Sequence, residues 1–196
     1  MKIILASKSP RRREILEGLG LEFDIIVADA DETSDIRDPE RLVETLAARK
    51  GRAVIEKLGG DVEDALIIAC DTLVYADGEF LGKPRDRADA ERMIRKLSGN
   101  YHSVVSGIYL FCGGREVTAA AKTKVIFDPI TDNEIETYLN TSEPYDKAGA
   151  YAIQGKAGVY IKGIEGDYYN VVGLPVNLLK NTLKEKFGIE LCELAK

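Results

Sequence analysis

The order of apolar runs and chain breakers predicts an α/β fold built on a mixed sheet. Three observations carry this. Strand-like runs alternate with helix-length amphipathic segments. One run, ALIIAC at 65–70, is wholly apolar, as a strand buried on both faces requires. Asp77-Gly78 separates two further strand-like runs, so hairpins are interleaved with crossover helices. The 196 residues suit a single domain over 1–196, with room for two lobes.

The elements follow in order. KIILA (2–6) reads as a first strand rather than a signal peptide, because its apolar stretch is short and arginines follow it. Ser9 is placed as the N-cap of a helix with Pro10 at its first position, and Gly20 stops that helix after Leu19. FDIIV (23–27) is a second strand, and the acidic segment 28–38 a loop. Asp38-Pro39 opens a long helix to about Leu58, ended by Gly59-Gly60. After the 65–70 strand, LVYADGEFL is a hairpin about Asp77-Gly78. Asp86 caps a helix to Leu97, closed by Gly99. Strands over 101–112 and 115–127 are joined by Gly113-Gly114. Thr131 and Glu134 have the spacing of a capping box for a helix to Leu139. A hairpin about Gly166 and a last helix from Pro175 to Phe187 complete the chain.

The bulk properties exclude several function classes. A formal net charge of -6 leaves no general attraction for nucleic acid or an anionic membrane, so a polyanion site must be a local cluster of cations. Cys70, Cys112 and Cys192 form no CxxC pair, which argues against a disulfide framework or a zinc site and fits a reducing cytoplasm. The longest apolar run, 65–70, is far short of the roughly 18 residues of a membrane span. The single histidine, His102, lies in a strand pattern and reads as structural, and no GxSxG elbow accompanies it.

Four features remain as candidates. SKSPRRR (7–13) places arginines at a helix N-terminus that follows a strand, where the dipole and free N–H groups favour phosphate. Cations oppose that dipole, so the pattern has its best sense with an anion among Arg11 and Arg12, against a plain solvated helix start. Asp71 follows the buried run, at the expected rim of a core strand. A carboxylate there suits a metal or general-base work on water, or else a turn or cap. On the 39–58 helix Leu42, Val43, Leu46, Ala47, Ala53 and Val54 form one apolar stripe, and Lys50 falls in its middle. Such a lysine is paired, at a site edge, or snorkelling as Lys57 is expected to; Arg49 and Arg52 fall off the stripe. DKAGAYAIQG (146–155) reads, on its residues alone, as an ordinary loop.

Together these segments resemble the Maf family of nucleoside triphosphate pyrophosphatases, also called septum-formation-inhibitor-like proteins. The resemblance rests on LASKSPRR, LAARK before Gly51, ACDTLV at 69–74, LGKPRD at 81–86, LSG at 97–99, EPYDKAGAYAIQG at 143–155 and GDYYNVVGLP at 166–175. It implies an elongated, two-lobed α/β structure with a central cleft, similar to inosine triphosphate pyrophosphatases. The implied reaction splits a nucleoside triphosphate into monophosphate and pyrophosphate with a divalent cation, Mg²⁺ or Mn²⁺. Asp71 matches the proton acceptor. Ser7, Ser9, Arg11, Arg12, Glu32, Lys50 and Lys83 match polar and phosphate-handling positions, with Glu32 and Asp71 facing the metal. Arg11, Thr72 and Gln154 match positions of the branch that favours dTTP and UTP. The residues alone single out Arg11, Arg12, Lys50 and Asp71; Glu32 and Lys83 enter only through the resemblance. The resemblance also implies a cytoplasmic enzyme without nucleic-acid or membrane partners, and a homodimer is common in the family. Two alternatives stay open: a non-catalytic nucleotide-binding regulator of cell division, and the branch specific for 7-methyl-GTP.

Overall fold

The computed structural model describes residues 1–59, 62 and 64–195. β1 (Lys2–Leu5) leads through a short loop into α1 (Pro10–Gly18), and β2 (Asp24–Ile25) follows. α2 (Pro39–Lys57) is the longest helix, and β3 (Ala65–Ala76) with β4 (Glu79–Leu81) comes next. α3 (Arg87–Leu97), β5 (Tyr101–Cys112), β6 (Arg115–Phe127) and α4 (Asp132–Leu139) continue the chain. After single 3₁₀ turns come β7 (Ile161–Glu165), α5 (Tyr168–Val172) and α6 (Val176–Thr182). The strands form one mixed seven-stranded sheet in the order β2-β1-β3-β5-β6-β7, with β4 paired to β3. β1 pairs parallel with β2 and β3, in a register that sets Ile4 opposite Ile67. β7 pairs antiparallel with β6.

Residues form two compact units: 1–71, 106–121 and 173–196 make the first, 72–105 and 122–172 the second. The core of the first gathers Ile4, Ala47, Val54, Ile67 and Tyr109. β1 and the apolar half of β3 are buried there, packed with Ala47, Ala48 and Val54 of α2, each fully buried Ile or Leu contributing about 1.5–3 kcal/mol. The core of the second gathers Val74, Leu81, Met93, Ile94, Val125 and Phe127. It includes His102, whose Nε2 lies 2.7 Å from the Tyr151 hydroxyl with ring edges of Phe127 and Tyr151 around it, so the histidine is structural as read.

The local chemistry behaves as the sequence signals require. Asp38 accepts from Arg41 N at 2.8 Å, Asp86 from Asp89 N at 2.8 Å, and Thr131 and Glu134 close their reciprocal box. Asp77 and Gly78, both at positive φ, turn β3 into β4. Gly59 ends α2 with φ 68°, while Gly60 lies outside the described residues.

Five expectations are corrected. The strand at 65–70 does not end before Asp71: pairing of Val74 with Leu81 and Ala76 with Glu79 carries β3 on to Ala76. The second strand shrinks from 23–27 to Asp24–Ile25. Ser9 occupies the N-cap position but its side chain makes no capping bond; its own N–H donates to Ser7 Oγ instead. No hairpin forms about Gly166. β7 instead returns along β6, and Gly166, with φ 132°, turns the chain into α5 against Thr123. The last helix starts at Val176, not Pro175, and changes to a π turn over Leu183–Phe187.

Candidate active site

In the first unit, three elements bring charge to one place. Lys50 projects from the middle of α2, Asp71 from β3, and Glu32 from the irregular segment before α2. The Lys50 ammonium lies 2.9 Å from Glu32 Oε1 and 2.5 Å from Asp71 Oδ1. Lys50 and Asp71 keep only 21% and 15% of their side-chain exposure, whereas Glu32 keeps 65%. The lysine at the centre of an apolar stripe is thus neither stranded nor snorkelling; it reaches past the stripe to two carboxylates. Burial opposes its charge, but Asp71 and Glu32 outweigh that and hold its pKa above the usual lysine range. Lys57 instead donates to the Val27 carbonyl at 2.7 Å.

The loop between β1 and α1 is tied to the same unit through buried contacts. Arg12 is buried, and its Nε donates to Gly173 O at 2.9 Å and its Nη1 to Ser7 Oγ at 3.0 Å. The Cys70 thiol donates to that same Gly173 carbonyl at 3.3 Å, so one oxygen links Arg12 to the residue before Asp71. Ser7 is buried between Arg12 and the Ser9 amide. Arg11 is half-exposed and makes no ion pair or hydrogen bond among the described residues, and Arg13 is spent on Glu17. Of the three arginines, one is therefore fixed in place and one is free to meet an anion.

The remaining candidates lie in the second unit. Lys83 is exposed before the buried Pro84 and unpaired among the described residues. Its loop is anchored one step on, where buried Asp89 accepts from the Arg85 N–H at 3.2 Å and the Arg85 guanidinium at 3.1 Å. Gln154 is exposed, with its amide unbonded among the described residues. Glu143 fixes its surroundings, accepting from Lys156 N at 2.7 Å and Ala157 N at 3.2 Å. Thr72 follows Asp71 on β3. The structure thus groups Glu32, Lys50 and Asp71 by direct contact and ties Ser7 to Arg12.

A model of the Maf-like protein family matches residues 2–186. The chain belongs to this family. Among Maf-like relatives, a dTTP/UTP pyrophosphatase of Alkaliphilus metalliredigens is 47% identical over 193 residues, covering 97% of this chain and 98% of the relative. One of the same name from Symbiobacterium thermophilum is 49% identical over 177 residues, covering 90% and 89%. The Maf-like chain also shares its fold with the solved structure of the Staphylococcus aureus Ham1 protein, at a TM-score of 0.55 and 15% identity, covering 94% and 98%. No helix among the described residues is long and apolar enough to cross a membrane.

Proposed function

We propose that the chain, working as a single domain over 1–196, hydrolyses dTTP and UTP to the nucleoside monophosphate and pyrophosphate. The observation that carries this is the convergence of the Glu32 and Asp71 carboxylates on the Lys50 ammonium. Relatives named for this activity at 45–49% identity support it.

Asp71 is the proton acceptor. Lys50 engages its Oδ1, which leaves Oδ2 to take a proton from a water aligned on the α-phosphorus. The new P–O bond forms as the bond to the α,β-bridging oxygen breaks, and pyrophosphate leaves with that electron pair. Lys50, Arg11 and Arg12 oppose the roughly four negative charges of a triphosphate, and Lys83 matches a further phosphate-handling position of the family. Ser7 holds Arg12, while the Ser9 side chain, which makes no capping bond, offers a hydroxyl in the same loop.

A divalent cation suits this donor set. Two carboxylates already converge on one cationic atom, and hard cations take oxygen ligands. Glu32 and Asp71 would hold the cation, Mg²⁺ or Mn²⁺. Bound there, the cation supplies charge neutralisation at the phosphates.

Base choice is assigned to Arg11, Thr72 and Gln154. Uracil and thymine present one N–H between two carbonyls, and a glutamine amide, with one acceptor and one donor group, pairs with that edge. Cytosine reverses the pattern at two of three positions, which leaves the amide mismatched. The test is kcat/KM for dTTP, UTP, CTP, GTP and 7-methyl-GTP, with products separated. The expected result is monophosphate and pyrophosphate in equal amounts, pyrimidines dTTP and UTP preferred, and no turnover with EDTA. Preference for 7-methyl-GTP would move the chain to the other branch. Binding without pyrophosphate release would make it a non-catalytic regulator.

A further inference from the structure

Glu32 presents a physical problem. It is largely exposed, and the chain from 28 to 38 has neither strand nor helix. Its Oε1 nonetheless sits 2.9 Å from Lys50 Nζ. Arg49 constrains the backbone on either side of it. A single nitrogen, Nη1, donates to the carbonyl of Asp31 at 3.0 Å and to that of Thr33 at 2.6 Å, the residues on either side of Glu32. The same guanidinium lies 3.9 Å from the Asp31 carboxylate. Asp31 Oδ1 in turn accepts from the Thr33 N–H at 2.9 Å and the Thr33 hydroxyl at 2.7 Å, closing the turn around Glu32.

We infer that Arg49 is a positioning residue: by gripping the carbonyls before and after Glu32 it fixes the backbone from which that carboxylate meets Lys50. Arg49 and Lys50 are consecutive in α2, about 100° apart around the helix. One rigid helical turn therefore holds both the backbone of the loop and the carboxylate it carries, and Glu32 is referenced to Asp71 through Lys50. Helices are more precise mounts for reacting groups than loops are, and small misplacements are costly in rate. The inference rests on the proposed role of Glu32 and deepens it.

The test compares Arg49→Ala, Arg49→Lys, Glu32→Gln and the Arg49→Ala/Glu32→Gln double variant in the full chain. Steady-state kinetics with dTTP are run across a Mg²⁺ titration, alongside amide hydrogen exchange and melting of the free protein. Arg49→Ala is expected to cut kcat roughly tenfold, shift KM for dTTP by less than about threefold and raise the Mg²⁺ needed for half-maximal rate. Exchange should rise at residues 31–34 with the melting temperature unchanged. Arg49→Lys should recover part of the rate, since an ammonium also carries its donors on one nitrogen. In the Glu32→Gln background, Arg49→Ala should cost nothing further. Equal losses in both backgrounds, or a wild-type rate in Arg49→Ala while Glu32→Gln is impaired, would overturn the inference alone. Full activity in Glu32→Gln would overturn the role of Glu32 and the inference with it.

Discussion

At the scale of single residues, Asp71 and Lys50 make opposite demands on the same contact. Asp71→Asn keeps the shape but removes the proposed proton acceptor. Turnover should fall on the order of 10²- to 10⁴-fold, with nucleotide binding by calorimetry and the circular dichroism spectrum retained. Near-normal turnover in a folded variant would remove Asp71 from its role. For Lys50, the apolar stripe alone suggests that methionine would pack well and keep the protein stable. The contact with Asp71 reverses this, because a carboxylate with 15% exposure would lose its partner. Lys50→Met should lower kcat/KM by tenfold or more, about 1.4 kcal/mol, and lower stability by about 1–3 kcal/mol. Thermal melting and urea titration measure the loss, and adding Asp71→Asn should restore part of it. A stable, active Lys50→Met would make the lysine dispensable.

At the scale of elements, the position of Lys50 depends on how closely α2 lies on the sheet. Two glycines set that distance. A Cβ on Gly107 of β5 would stand 2.4 Å from the Val43 carbonyl carbon, and one on Gly51 of α2 would meet the Tyr109 ring at 2.1 Å. Backbone cannot give way as a side-chain tip does, so Gly107→Ala must push α2 outward. Overpacking of this kind costs about 1–3 kcal/mol, and a displacement near 1 Å at the site costs about 10² in rate. Both a lower urea midpoint and a disproportionate loss of kcat are expected; unchanged values would mean that α2 has slack. The sequence showed much of this element and little of its surroundings. Lys50 was legible because helical period exposes a charge on an apolar stripe, and the capped starts of α2, α3 and α4 were legible because capping is local. Glu32 and Arg49 were not: one lies on aperiodic chain, the other only fell off the stripe, and their link appears when loop and helix are folded together. Lys83 and Gln154 are exposed on loops, where no periodicity marks them. Gly166 misled because a glycine at positive φ serves a helix start as readily as a hairpin.

At the scale of the whole molecule, stability should depend on pH through the core of the second unit. His102 is 2% exposed, and burial pushes its pKa down to about 4 from an ordinary 6.5. The folded state therefore holds it neutral while the unfolded chain takes up a proton as pH falls below 6.5. Stability is full above about 6.5 and declines towards pH 4, by about 3 kcal/mol from this group. Urea unfolding at pH 7.5, 5.5 and 4.5 should show that slope, and His102→Gln should flatten it; an equal slope in the variant would assign it to carboxylates. A different consequence follows from how the two units are threaded. The first is assembled from residues 1–71, 106–121 and 173–196, the second from 72–105 and 122–172. No uninterrupted stretch of gene encodes either, so neither can be gained, lost or shuffled by a simple fusion. A chimera that takes the second unit from a Maf-like relative needs crossovers at 71/72, 105/106, 121/122 and 172/173. Such a graft would exchange Thr72, Lys83 and Gln154 as a set while leaving Glu32, Lys50 and Asp71 in their native frame, an exchange that no single breakpoint offers.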